Sequence, residues 1–154
     1  MQRTLSLVAM LLFCLACFNS QATAQAMTPN FTEGSISRVL LIDIKPGKNS
    51  EFWTDLRQNG KPIFEAYKAA GIIEDYTIML KTTSEGENDW DVSIIVRYKN
   101  YGALDGLAAR TDPITLKHYG SSAARAAAGI KRNEFETTVG NFFVRHVNVN
   151  DMPR

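Results

Sequence analysis

The chain has 154 residues with 17 basic and 16 acidic side chains, a net charge of +1, and neither sign gathers into a long block. A nucleic-acid groove needs a basic excess to displace counterions, so this balance argues against that partner. Both cysteines, Cys14 and Cys17, fall within the first 24 residues. A mature chain that begins after them has no disulfide, thiolate catalyst or cysteine metal ligand.

Those first residues read as a secretory signal peptide. Arg3 is the positive start, Leu5 to Phe18 is an apolar run, and Ala22-Thr23-Ala24 is a small-x-small cleavage site. Ala24-Gln25-Ala26 is an alternative site, and Cys17 after Leu15-Ala16 is the lipidation alternative, with Cys14 where a leucine is usual. The apolar run is short for a bilayer core about 30 Å thick. The expectation is a cleaved leader over 1–24, a periplasmic or secreted location, and no membrane partner afterwards. About 130 residues remain, enough for one domain with one core.

Residues 25–35 are polar and aperiodic and read as a flexible leader. A first strand follows over 36–44, with Leu40, Ile42 and Ile44 on one face and Val39, Leu41 and Asp43 on the other. Two largely apolar faces indicate a central strand. Pro46-Gly47 ends it, and Asn49 or Ser50 opens a helix with the stripe Phe52, Trp53, Leu56, Ile63, Phe64 and Tyr67, stopped by Gly71. Gly60 and Pro62 predict a kink or break over 59–61, because proline lacks the amide donor and clashes with the preceding turn.

A second strand is expected over 72–81, and 82–88 is a hairpin connection to a third strand over 90–98. There Trp90, Val92, Ile94, Val96 and Tyr98 alternate with more polar positions. Asn100 caps a helical piece over 101–110, and Thr111 or Asp112 caps another with Pro113 at its first position, ending at Gly129. The last strand runs over 134–147 with Gly140 marking a bulge or bend, and 149–154 is a tail.

The order β-α-β-β-α-β predicts one sheet of order 4-1-3-2 with the helices on one face, covering Trp90, Val92, Ile94, Val96 and Tyr98. The opposite face still carries Val39, Leu41, Ile95 and Met79. A face this apolar calls for a cover, and a second copy laid face to face is the simplest one.

In element order, in the helix-1 stripe ending at Ala70-Gly71 and in the strand-to-helix passage from Trp90 to Leu104, the chain resembles the dimeric α+β barrel superfamily. The resemblance covers roughly 36–147 and implies a ferredoxin-like α+β sandwich that dimerises into a barrel. That superfamily includes cofactor-free monooxygenases, haem-degrading enzymes, isomerases, cyclases, stress-response proteins and members without known activity, so it leaves the activity open. The function it implies is binding of a small, largely apolar molecule, with oxygenase or isomerase-type chemistry that needs no cofactor. The alternatives are a non-catalytic dimeric binding or stress protein and a haem-associated enzyme.

In the haem-degrading relatives a helix-2 histidine ligates iron beside a tryptophan and a first-strand asparagine. His118 and Trp90 match the first two; the first strand, ISRVLLIDI, has no asparagine. His118 as a half-exposed helix residue and Trp90 as a core aromatic is the plainer reading. Asp43 and Arg97 are a further candidate. Taken as parallel neighbours, strands one and three bring both residues to the same level at the lip of the chamber between the sheets. There they serve either as a structural ion pair or as a ligand-orienting pair, with Thr77 and Asp75 lining the same chamber.

Overall fold

The computed structural model describes residues 31–83, 86 and 89–149. The expected signal peptide and nearly all of the tail lie outside them. Strand β1 spans Thr32–Ile44, β2 Asp75–Leu80, β3 Val92–Tyr98 and β4 Glu136–Asn148. Between β1 and β2 run helix α1 (Asn49–Asp55), a π-helical turn (Leu56–Gly60) and helix α2 (Lys61–Ala69). Between β3 and β4 run a 3-10 turn (Tyr101–Leu104), α3 (Leu107–Tyr119) and α4 (Ser122–Arg132).

The strands form one sheet in the order β2-β3-β1-β4, and every neighbouring pair is antiparallel. With its βαββαβ element order this is the ferredoxin-like arrangement that the hydrophobic patterning predicts. The direction of one pair differs from expectation. The β2–β3 hairpin reverses the chain, so β3 runs antiparallel to β1. Ile36 pairs with Tyr98 and Ile42 with Val92. Asp43 therefore lies at one end of the ladder, while Arg97 faces Ser37 six pairs away, a separation of about 20 Å at roughly 3.3 Å per residue. The expected Asp43–Arg97 pair does not form.

The core lies between sheet and helices. Ile36, Ile42 and Ile44 of β1 and Val92, Ile94, Val96 and Tyr98 of β3 pack with Phe52 and Leu56, and Trp53, Phe64, Tyr67, Leu107 and Ile114 close over them. Trp90 is not among them: β3 begins two residues later, and the indole lies half-buried with Lys81 Nζ 5.3 Å from its ring centre. Beyond Leu56 the helix accommodates Gly60 and Pro62 without breaking. The π-helical turn takes up the irregularity, and Pro62 falls in the first turn of α2, where no amide donor is needed. A side chain at Gly60 would put a carbon 2.7 Å from Leu56 Cδ1.

Other boundaries shift for local reasons. β1 begins at Thr32, four residues earlier than expected, because β4 is long enough to pair with it: Thr32 faces Asn148 and Glu33 faces Val147. Ile72 and Ile73 are buried yet precede β2; Ile72 N–H donates to Tyr67 O and holds them in the turn after α2. Pro113 lies inside α3 rather than at its start, and the stop comes at Gly120, whose φ of 79° is left-handed. Ser121 Oγ then accepts from Ala124 N–H at 3.0 Å and opens α4. Asn100 caps as expected, accepting from Ala103 N–H at 3.1 Å, but the element it opens is a single 3-10 turn.

The bulge expected near Gly140 occurs. Leu41 pairs with Gly140 and Ile42 with Thr138, which leaves Val139 as the extra residue. Leu41 lies over Gly140; a carbon added there would sit 3.0 Å from Leu41 Cδ1. The second sheet face carries Val39, Leu41 and Ile95 with Met79, Phe142 and Val144, of which the last three are exposed. No helix among the described residues is long and apolar enough to cross a membrane.

Candidate functional site

The residues singled out in the sequence fall in three separate places. Arg97 is exposed, 3.6 Å from Glu74 Oε2 and 3.6 Å from Asp75 Oδ2. Thr77, exposed, pairs with Ile95 two residues further along β2. Asp43 and Trp90 come together in a polar recess that Lys81, Asp89 and Asp91 also line. Lys81 and Asp89 are an ion pair there, and Asp91 Oδ2 accepts from Ile44 N–H at 2.7 Å, closing the end of the β1–β3 ladder.

His118 sits on the exposed side of α3, its Nε2 2.9 Å from Asn59 Oδ1 and its ring edge-on to Tyr119. His146 is bonded through Nε2 to Ser37 Oγ at 2.8 Å. Neither histidine is among the residues lining the helix–sheet cavity or the Asp43–Trp90 recess. Among the described residues no cluster of three or more His, Cys, Asp or Glu side chains is placed to hold a metal ion.

The cavity with the chemistry of a site is elsewhere, between the sheet and the helices. Its volume is about 330 Å³. Leu40, Ile42, Ile94, Phe52, Ile63 and Phe64 form its apolar wall. Its polar lining includes Asp55 from α1, Tyr119 from α3, Arg125 and Arg132 from α4, and Glu136, the first residue of β4.

Most of these groups are already paired. Asp55 Oδ1 accepts from Asn59 Nδ2 at 2.7 Å and Asp55 Oδ2 from Arg132 Nε at 3.0 Å. Arg132 also donates to Tyr119 Oη at 3.1 Å. Arg125 donates to Asp112 Oδ1 at 2.9 Å and to Thr115 Oγ1 at 3.3 Å. Among the described residues the Glu136 side chain has no hydrogen bond or ion pair. Burial pushes its carboxyl up to about 7; Arg132 opposes the shift and Asp55 adds to it. Burial also pulls the Arg132 guanidinium down, but Asp55 and Tyr119 outweigh it and the net shift is upward.

A carboxyl that titrates near neutrality in the lining of an apolar cavity is equipped to accept a proton and return it. One half of this cluster left a trace in the sequence. Asp55 follows Phe52 by three and precedes Leu56 by one, so the helix-1 stripe carries a carboxylate on its core side. Glu136 left none, because the bulge at Val139 changes which residues of β4 face the helices.

No protein-family model matches the chain, and no curated protein matches it. Among solved structures it is similar to a dimeric protein of unknown function and ferredoxin-like fold from Bacteroides fragilis NCTC 9343. The two share 16% identity with a TM-score of 0.40, over 73% of this chain and 95% of that one.

Proposed function

We propose that the protein is an exported homodimer that binds a small, largely apolar molecule in the cavity between its helices and its sheet, and that its chemistry is proton transfer of the kind an isomerase or cofactor-independent oxygenase uses. The carrying observation is the cavity: about 330 Å³, within the range of small-molecule sites, with an apolar wall and a few polar groups, among them the linked Asp55, Arg132 and Tyr119. The leader supports export. The apolar second face of the sheet supports pairing with another copy, which leaves the helix–sheet cavity of each protomer on the outer side.

The test is saturable binding of an apolar fluorescent probe, 2-methoxynaphthalene, to the wild type and to Ile63→Trp, whose indole fills the cavity. Binding to the wild type and its loss in a variant with unchanged circular dichroism is the expected result. Equal binding to both, or none to the folded wild type together with no small molecule in its organic extract, overturns the reading.

A further inference from the structure

The hydrogen-bond inventory of the cavity's polar lining narrows the chemistry of what it holds. Both oxygens of Asp55 are occupied, by Asn59 and Arg132. Arg132 donates to Asp55 and Tyr119, and Arg125 to Asp112 and Thr115, so both charges are already engaged although each guanidinium keeps further N–H groups. Beside those N–H groups, two further capacities line the cavity. The Glu136 carboxylate is an acceptor without a donor, and Tyr119 Oη, which accepts from Arg132, keeps its own hydrogen to give. An acceptor and a donor lining one cavity are both satisfied by a single group that gives one hydrogen bond and takes another.

We infer that the molecule bound in the helix–sheet cavity carries a hydroxyl, phenolic or enolic, that donates to Glu136 and accepts from Tyr119, a proposal that rests on the reading of this cavity as a ligand site. An ether or a bare hydrocarbon would cover the half-buried Glu136 carboxyl without giving it a donor, and an acceptor cut off from water and left unmet is costly. A carboxylate would set a second negative charge against Glu136. An ammonium would satisfy Glu136 but offers Tyr119 nothing to accept its hydrogen, and it would stand among two guanidinium groups.

In the bound state the hydroxyl proton passes from the ligand oxygen to a Glu136 oxygen. The O–H bond of the ligand breaks, an O–H bond of the carboxylic acid forms, and the electron pair stays on the ligand oxygen, where the Tyr119 O–H and the Arg132 charge face it. Neutral pH suits this exchange, since burial holds the Glu136 carboxyl at about 7. The charged and titratable groups that share the cavity with it are Asp55, Tyr67, Tyr119, Arg125 and Arg132.

Three naphthalene probes of one size separate the outcomes: 2-naphthol, its methyl ether 2-methoxynaphthalene, and 2-naphthylmethylamine. In the wild type 2-naphthol is expected to bind about tenfold more tightly than the ether, the worth of a hydrogen bond to a charged group. That preference should widen from about pH 5.5 to about pH 8.5 as Glu136 becomes the carboxylate. In Glu136→Gln the preference should fall several-fold and lose its dependence on pH, because the amide oxygen is a weaker acceptor than the carboxylate and does not titrate. In Tyr119→Phe it should fall only in part.

If naphthol and ether bind the wild type equally, or the preference and its pH dependence survive Glu136→Gln unchanged, the hydroxyl assignment is wrong although the cavity binds. Tighter binding of the amine than of naphthol overturns it too. If none of the three binds, the cavity reading itself has failed.

Discussion

Arg132 Nε donates to Asp55 Oδ2 at 3.0 Å and ties the last helix to the first across 77 residues. Both groups are partly withdrawn from water, with side-chain exposures of 34% and 19%. The pair therefore belongs between a surface bridge, worth about 0–1 kcal/mol, and a buried one, whose rupture costs about 3–5 kcal/mol. Asp55→Ala is expected to lower stability by about 2 kcal/mol in urea unfolding, because among the described residues it leaves the guanidinium only Tyr119 as a hydrogen-bond partner. Asp55→Ala combined with Arg132→Met should cost clearly less than the two single changes added together. Strict additivity would show that the two helices are held by other contacts.

Glu136 makes stability depend on pH in a direction opposite to that of most carboxylates. Its folded-state value of about 7 lies above the ordinary 4.5, so the folded state holds the proton more tightly than the unfolded chain. Its contribution is complete below about pH 4.5 and is lost as pH rises through about 7. Discounted for screening of a partly exposed carboxyl, the loss is on the order of 1–2 kcal/mol. Unfolding midpoints of the wild type and Glu136→Gln, measured side by side over that window, should diverge by this amount, with the variant gaining relative stability toward alkaline pH. A constant difference would mean that the carboxyl is not held above its usual range.

Leu41 tests the second face of the sheet. It packs over Gly140 with Val39 and Ile95 beside it. Leu41→Glu puts a charge into that face, costing several kcal/mol if a second copy covers it. Sedimentation velocity of the variant should show monomer or aggregate where the wild type sediments as a dimer. A folded and fully dimeric variant would place the contact between copies on another surface.

The apolar patterning revealed the architecture well. The alternation from Val92 to Tyr98 and the stripe through Phe52, Leu56 and Phe64 account for the buried core and for the face the helices take. Direction was harder to read than pattern, because alternation is the same whichever way a strand runs. Asp43 and Arg97 were placed together by strand order alone, and the antiparallel β1–β3 register puts them at opposite ends. The helix start expected at Pro113 was misplaced because proline is acceptable in a first helical turn and also, with loss of one bond, further inside. The Gly120-Ser121 pair carried the true boundary. The cavity cluster was the least legible part. Asp55, Arg132 and Glu136 are far apart in sequence, and the facing of Glu136 follows from a one-residue bulge.

The pairing of the first strand with the last has a kinetic consequence. β1 bonds to β4 through partners such as Ile36 and Arg145, so closing that ladder means bringing together stretches roughly a hundred residues apart, with a loop-closure entropy that nearby elements do not face. The β2–β3 hairpin and the helix pairs can form from local contacts first. Glu136 arrives with β4, so the protonatable group of the cavity takes its place only when the final ladder zips. In a refolding experiment the elevated titration of Glu136 is then a clock for completion: a chain truncated before residue 136 can be helical and collapsed and still lack the group on which the proposed recognition rests.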